Sequence, residues 1–123
     1  MSWDLKSDRP IYLQLIEQIE IKICSGIFAP GSKLPSVREL AQEAAVNPNT
    51  MQKALSILEE DGLLYTNRTS GRFITEDAKM IQQAKHKLAQ DQISEFIEKM
   101  KSLGFDKKET LSIISTMLEE AKK

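Results

Sequence analysis

Two stretches decide the fold: Leu34-Pro35-Ser36-Val37-Arg38-Glu39-Leu40 and Asn47-Pro48-Asn49-Thr50-Met51-Gln52-Lys53. Both open with strong helix-start signals. Ser36 suits an N-cap, and Glu39 three residues on can reach back to its amide, the reciprocal capping box. Asn47 is a favoured N-cap, and Pro48 suits the first helical position, where no amide hydrogen is required. Behind each start the apolar residues follow helical spacing: Val37, Leu40, Ala41 and Ala44, then Met51, Ala54, Leu55 and Leu58. Asn49, Gln52, Lys53 and Ser56 repeat that spacing on the opposite face of the second helix, a polar face with one charge. Two short, capped helices joined by a tight turn have the layout of a helix-turn-helix, whose second helix enters the major groove of DNA.

On the N-terminal side, a helix is predicted from Pro10, with Tyr12, Leu15, Ile16, Ile19 and Ile23 as one apolar stripe and Gly26 as its stop. On the C-terminal side, Glu59, Glu60 and Asp61 collect at the helix end and Gly62 closes it. Leu63-Leu64-Tyr65-Thr66 and Arg72-Phe73-Ile74-Thr75 read as strands, with Asn67-Arg68-Thr69-Ser70-Gly71 as the turn, so a β-hairpin follows the second helix as a wing. From Glu76 onward only helix is predicted. A long segment runs to Leu103, its stripe interrupted at Gln90-Asp91-Gln92. Asp106 and Glu109 then form a second capping box, and a last helix carries Leu111, Ile114, Met117, Leu118 and Ala121 on one face. The expected fold is mainly α with a small β-hairpin: a winged helix-turn-helix domain over residues 1–76 and a two-helix dimerisation region over 77–123.

Composition narrows the function. The chain has 123 residues, 41% hydrophobic and 28% charged, with a net charge of −1. Residues 1–75 hold eight Lys/Arg and nine Asp/Glu, so the half that carries the helix-turn-helix has no basic excess. A DNA binder of this kind must place a few cations locally, and a dimer would double the phosphates neutralised. No apolar run reaches the roughly 20 residues that span a bilayer, and Met1-Ser2-Trp3-Asp4-Leu5-Lys6 lacks a signal-peptide core, which points to the cytoplasm and away from membranes. The single cysteine, Cys24, excludes an internal disulfide and reads as a small apolar group. The single histidine, His86, stands among lysines and reads as solvated, so no metal site is expected. Neither a Gly-rich phosphate loop nor a nucleophile–base pair is visible; no cofactor and no enzymatic activity are expected.

The candidate DNA-binding residues follow from this layout. Asn49 and Gln52 carry the paired donor and acceptor that match adenine; Lys53 suits guanine or a phosphate, and Thr50 a phosphate or a thymine methyl. Arg38 in the first turn of the earlier helix is disfavoured by the helix dipole, which suggests an external anion. Lys33 and Ser36 at the same helix start extend that phosphate site. Arg68 and Arg72 flank the wing turn, where an arginine can probe the minor groove, and Gly71 lets the backbone approach DNA.

Taken together, Pro10-Ile11-Tyr12, Gly26…Pro30-Gly31, Lys33-Leu34-Pro35-Ser36-Val37-Arg38-Glu39-Leu40-Ala41 and Leu58-Glu59…Gly62-Leu63 resemble the DNA-binding domain of the GntR family of bacterial transcription regulators. The resemblance covers about residues 8–75. Val46-Asn47-Pro48-Asn49-Thr50 and the short helical tail resemble its YtrA subfamily. It implies a homodimeric winged helix-turn-helix on a palindromic operator, with Arg38 at the family's phosphate-contacting arginine, Asn47, Asn49, Thr50 and Lys53 on the recognition helix, and Gly71 at the wing tip. It also implies a repressor of a transporter-type operon. Two departures stand out: Pro48 replaces an arginine that many members use to contact bases, and Ser70-Gly71-Arg72-Phe73 replaces the common Gly-x-Gly-Thr-Phe wing. The 48 residues of the tail are expected to be too few for an independent effector domain. Two other readings stay open: a winged-helix protein-interaction module that binds no DNA, and a regulator whose dimer interface holds a small effector among Phe96, Met100 and Met117.

Overall fold

The computed structural model describes residues 3–122. Its elements run α1 (Ile11–Cys24), α2 (Val37–Ala44), α3 (Pro48–Glu60), β1 (Leu64–Asn67), β2 (Gly71–Ile74), α4 (Ala78–Ser102) and α5 (Lys107–Ala121). The chain divides into two compact units, one ending at His86 and one beginning at Lys87.

In the first unit, the inner faces of α1, α2 and α3 and the hairpin close over one core. Leu15, Ile19, Leu40, Ala54, Leu55, Leu58 and Ile74 are wholly buried in it. The first turns of α4 belong here as well, because Met80, Ile81 and Ala84 pack on that core. The caps form as the sequence dictates. Ser36 Oγ accepts from the Glu39 amide at 3.1 Å, and Glu39 Oε1 accepts from the Ser36 amide at 3.3 Å. Asn47 Oδ1 accepts from the Asn49 amide at 2.8 Å. Pro10 differs from expectation by one position: its ψ of 134° is extended, so it stands just outside α1, not in its first turn.

Three features of this unit depend on contacts distant in sequence. The segment before α1 is fastened to it by Gln14, which accepts from the Lys6 amide at 2.6 Å and donates to Lys6 O at 2.6 Å. Gln18 does the same for Asp4, at 3.2 and 2.6 Å. The turn between α2 and α3 passes through Ala45, a non-glycine residue in the left-handed region at φ +57°. Finally, residues 31–34 lie alongside β2: Lys33 bridges Phe73, the Leu34 amide donates to Arg72 O at 2.9 Å, and the Ile74 amide donates to Ser32 O at 2.9 Å. Residues 31–34 therefore extend the wing by a third short chain.

The hairpin is antiparallel, with Leu64 opposite Ile74 and Thr66 opposite Arg72. Each strand sits one residue off the expected bounds: Leu63 precedes β1 and Thr75 follows β2. Gly62 ends α3 at φ +85°, where an added Cβ would come 2.9 Å from Met80 Sδ.

In the second unit, α4 continues without a break through Gln90-Asp91-Gln92, so that polar interruption does not end the helix. Asp106 and Glu109 complete their capping box at the start of α5.

Candidate nucleic-acid interface

α3 presents its N-terminal face outward because Met51, Ala54, Leu55 and Leu58 are all buried on the other side. Asn47, Asn49, Gln52 and Lys53 are exposed, and Thr50 is half-buried at their edge. The Asn47 side-chain oxygen is engaged by its capping bond, which leaves the amide NH2 as the group with donors to offer. Gln52 Nε2 donates to Ser56 Oγ at 3.1 Å, one turn further along the helix. Lys53 is turned toward α1: its Nζ lies 3.8 Å from the centre of the Tyr12 ring, a cation–π contact that holds the charge at the side of the helix.

Beside α3 lies a cleft of about 700 Å³ between the start of α2 and the wing, lined by Lys33, Ser36, Thr66, Ser70, Gly71 and Arg72. The start of α2 therefore faces the same side as the wing. Ser36 lines this cleft, but its hydroxyl is committed to the Glu39 amide. Gly71, at φ +107°, would bring an added Cβ to 3.3 Å from Lys33 Cε, so the wing tip and Lys33 are in close contact. The wing turn is organised by Asn67, whose Oδ1 accepts from the Thr69 amide at 3.1 Å and leaves Arg68 exposed. Lys33, Arg38, Lys53 and Arg68 form no ion pair among the described residues. In particular, Arg38 is not neutralised by Glu43. Four exposed cations of the first unit are thus left outside ion pairs on a chain of net charge −1.

Arg72 behaves differently from its sequence reading. It is not an exposed wing arginine: its side chain is 18% accessible. Its Nε lies 3.5 Å from Glu59 Oε1, an ion-pair distance without hydrogen-bond geometry, and its Nη1 donates to Gln52 Oε1 at 3.4 Å. Glu59 also accepts from the Thr66 hydroxyl. The part played by Glu59 and Thr66 was not visible in the sequence; the only signal was an acid and an arginine on elements expected to be neighbours.

Elsewhere, Cys24 is half-buried and its thiol donates to Ile81 O at 3.8 Å. Burial, and next the negative charge of Glu20, push that thiol above the ordinary cysteine range. Lys22 is buried with its Nζ 4.3 Å from the centre of the Trp3 ring, and desolvation lowers its pKa. His86 is exposed, and the described residues hold no His/Cys/Asp/Glu cluster able to bind a metal. In the second unit an apolar groove of about 600 Å³ is lined by residues including Ile93, Phe96, Ile97, Phe105, Leu111 and Ile114. Phe96 lines this groove, and Met100 and Met117 are outside its lining.

Residues 11–74, which hold α1, the helix-turn-helix and the wing, match the family model for bacterial regulatory proteins of the gntR family. The chain belongs to the GntR family. It is 41% identical to the HTH-type transcriptional regulator YhcF of Bacillus subtilis over 97% of this chain and 98% of that protein. It is 42% identical to the HTH-type transcriptional repressor YtrA of B. subtilis over 76% of this chain and 73% of that protein. A GntR family transcriptional regulator from Listeria monocytogenes superposes with a TM-score of 0.83 at 37% identity, covering 91% of this chain and 98% of that one. The DNA-binding domain of AraR in complex with operator ORE1 superposes over 61% of this chain and 94% of its own, with a TM-score of 0.52 and 34% identity. GntR proteins of this kind are transcription regulators, a class without enzymatic activity. The YtrA-like character read from Val46–Thr50 and the tail agrees with these relatives. No helix among the described residues is long and apolar enough to cross a membrane.

Proposed function

We propose that this chain is a homodimeric repressor of the YtrA type, working in the bacterial cytoplasm on a palindromic operator. The observation that carries the reading is the exposed polar N-terminal face of α3, held outward by its buried stripe, in a unit where Lys33, Arg38, Lys53 and Arg68 are exposed and outside any ion pair among the described residues. Each protomer places α3 in a major groove, with half-sites about one or two helical turns apart. Asn47, Asn49 and Gln52 face base edges, where amides pair best with adenine. Lys33, Arg38, Lys53 and Arg68 meet phosphates, Thr50 lies at the groove edge, and Gly71 allows the wing backbone to approach. Ser36 contributes through the start of α2 that it caps. The exposed apolar residues of α4 and α5, among them Ile93, Phe96, Leu111 and Leu118, support pairing with a second copy. YtrA and the similar NagR of B. subtilis are named as repressors, which supports the sign of regulation; control of a transporter-type operon rests on the YtrA likeness alone. The groove at Phe96 offers room for a small effector of the dimer.

Fluorescence anisotropy on duplexes selected from a random pool tests this reading. Arg38→Ala should weaken every duplex alike, about tenfold, and lower the salt slope by about 1, as loss of a phosphate contact does. Asn49→Ala should relax preference at one base pair per half-site. No binding of any duplex at low salt sinks the proposal and favours a winged-helix module for protein partners, a role the near-neutral first unit would suit.

A further inference from the structure

The operator-binding reading treats the wing and the recognition helix as separate contributors. Their side chains are not separate. Gln52, Ser56 and Glu59 share one face of α3 at spacings of four and three residues. Arg72 of β2 lies against that face, its guanidinium between Glu59 and Gln52. The arginine is fixed from behind as well: its carbonyl accepts from the Leu34 amide at 2.9 Å, and it stands opposite Thr66, whose hydroxyl donates to Glu59. A guanidinium has donors and no acceptor, so it can engage only the oxygen of the Gln52 amide. Ser56 takes one N–H from the other side. The amide of Gln52 is therefore held in one of its two orientations. It keeps one free N–H and one free lone pair, the complement of the adenine edge in the major groove.

We propose that Arg72 and Glu59 are positioning residues for base discrimination, setting the orientation in which Gln52 meets the groove. The wing then governs what the recognition helix reads, at one base pair, without touching that base pair. Arg72 is not a phosphate contact in this account, because Glu59 offsets its charge and its side chain is mostly enclosed. The inference rests on the operator-binding reading.

The test measures the full-length protein by anisotropy on its selected duplex and on every single-base-pair variant of it. Wild type, Gln52→Ala, Arg72→Ala and the double variant are compared, with thermal melting to confirm folding. Gln52→Ala should abolish preference at one position per half-site. Arg72→Ala should lose about tenfold in discrimination at that same position, the scale of part of one bidentate base contact. It should leave the other positions and the salt slope unchanged, and it should add nothing in the Gln52→Ala background. Glu59→Gln, which keeps the shape of the side chain but not its charge, should shift the same position in the same direction. If Arg72→Ala loses its cooperative melt, Arg72→Lys carries the test: it keeps the charge without the forked geometry and must show the same single-position loss. Uniform weakening of all duplexes with a lower salt slope would overturn the inference, as would a loss that persists without Gln52. A Gln52→Ala protein with unchanged preferences also overturns it, while operator binding stands. A wild-type protein that selects no sequence breaks the operator-binding reading itself, and this inference with it.

Discussion

The two units treat their apolar residues in opposite ways. In the first, fifteen hydrophobic residues are buried, from Leu15 to Ile74, and the starts of α2 and α3 are capped by side chains. In the second, Thr110 is the one buried residue among those described, while Ile93, Phe96, Ile97, Leu103, Leu111, Met117 and Leu118 are exposed. A complete capping box starts a helix in each unit, at Ser36 and at Asp106, so local signals do not explain the difference. The first unit has three helices and a hairpin to close over a core, and the second has two helical segments. Two amphipathic helices leave apolar faces in water unless something else covers them. The contrast separates a unit that completes its own core from one that leaves its apolar faces open.

Four measurements would break or sharpen that contrast. Leu55 is 0% exposed, and Leu55→Ala should cost about 2–5 kcal/mol in urea unfolding of the first unit, since a buried leucine leaves a cavity. A cost under 1 kcal/mol would mean that this core is looser than its burial indicates. Leu111 is 56% exposed. Leu111→Asp should leave that unfolding transition in place, turn the proposed dimer into monomer by analytical ultracentrifugation, and weaken operator binding about 100-fold through lost bivalency. A dimer that survives the change would place the partner surface elsewhere. Ala45→Gly should stabilise the first unit by about 0.5–1 kcal/mol, because relief of the left-handed strain exceeds the added chain entropy. That gain should not depend on protein concentration; dependence on it would tie the turn to assembly.

The smallest effect concerns Cys24, at the junction of α1 and the first turns of α4. Its raised pKa keeps it protonated to higher pH than a free thiol, and the thiolate is the reactive form. Its alkylation by iodoacetamide at pH 8 should be several-fold slower in the folded protein than in urea. The sign for stability follows: a folded pKa above the unfolded one adds stability below the ordinary thiol range, and that contribution fades as pH rises through the folded value. Equal alkylation rates would show that the start of α4 does not stay packed on the core.

The helix-turn-helix was legible because its determinants are local. Ser36 and Glu39 lie three residues apart, Asn47 and Asn49 two, and the buried stripe of α3 repeats within two turns. What stayed hidden depends on residues that meet only after folding. The two amides of Gln14 and Gln18 grip a segment up to 14 residues away. Lys53 reads as a groove-facing cation until Tyr12 of another helix is brought beneath it. Arg72 reads as an exposed wing arginine until Glu59 and Gln52 are set against it. The left-handed turn at Ala45 carries no glycine to announce it. The sequence thus supplies a list of candidate residues, whereas tertiary contacts decide which of their side chains are already engaged within the fold.

The pairing of residues 31–34 with β2 carries a consequence for how this chain can change. Side chains along an extended segment alternate between faces, so Lys33 points to solvent while Leu34 is buried at 2% exposure. Deleting or inserting a single residue there would invert the alternation and drive a lysine toward the core. Substitutions can accumulate in this loop; a change in its length cannot, and drift among its descendants should appear as altered residues at constant spacing between Gly31 and Ser36.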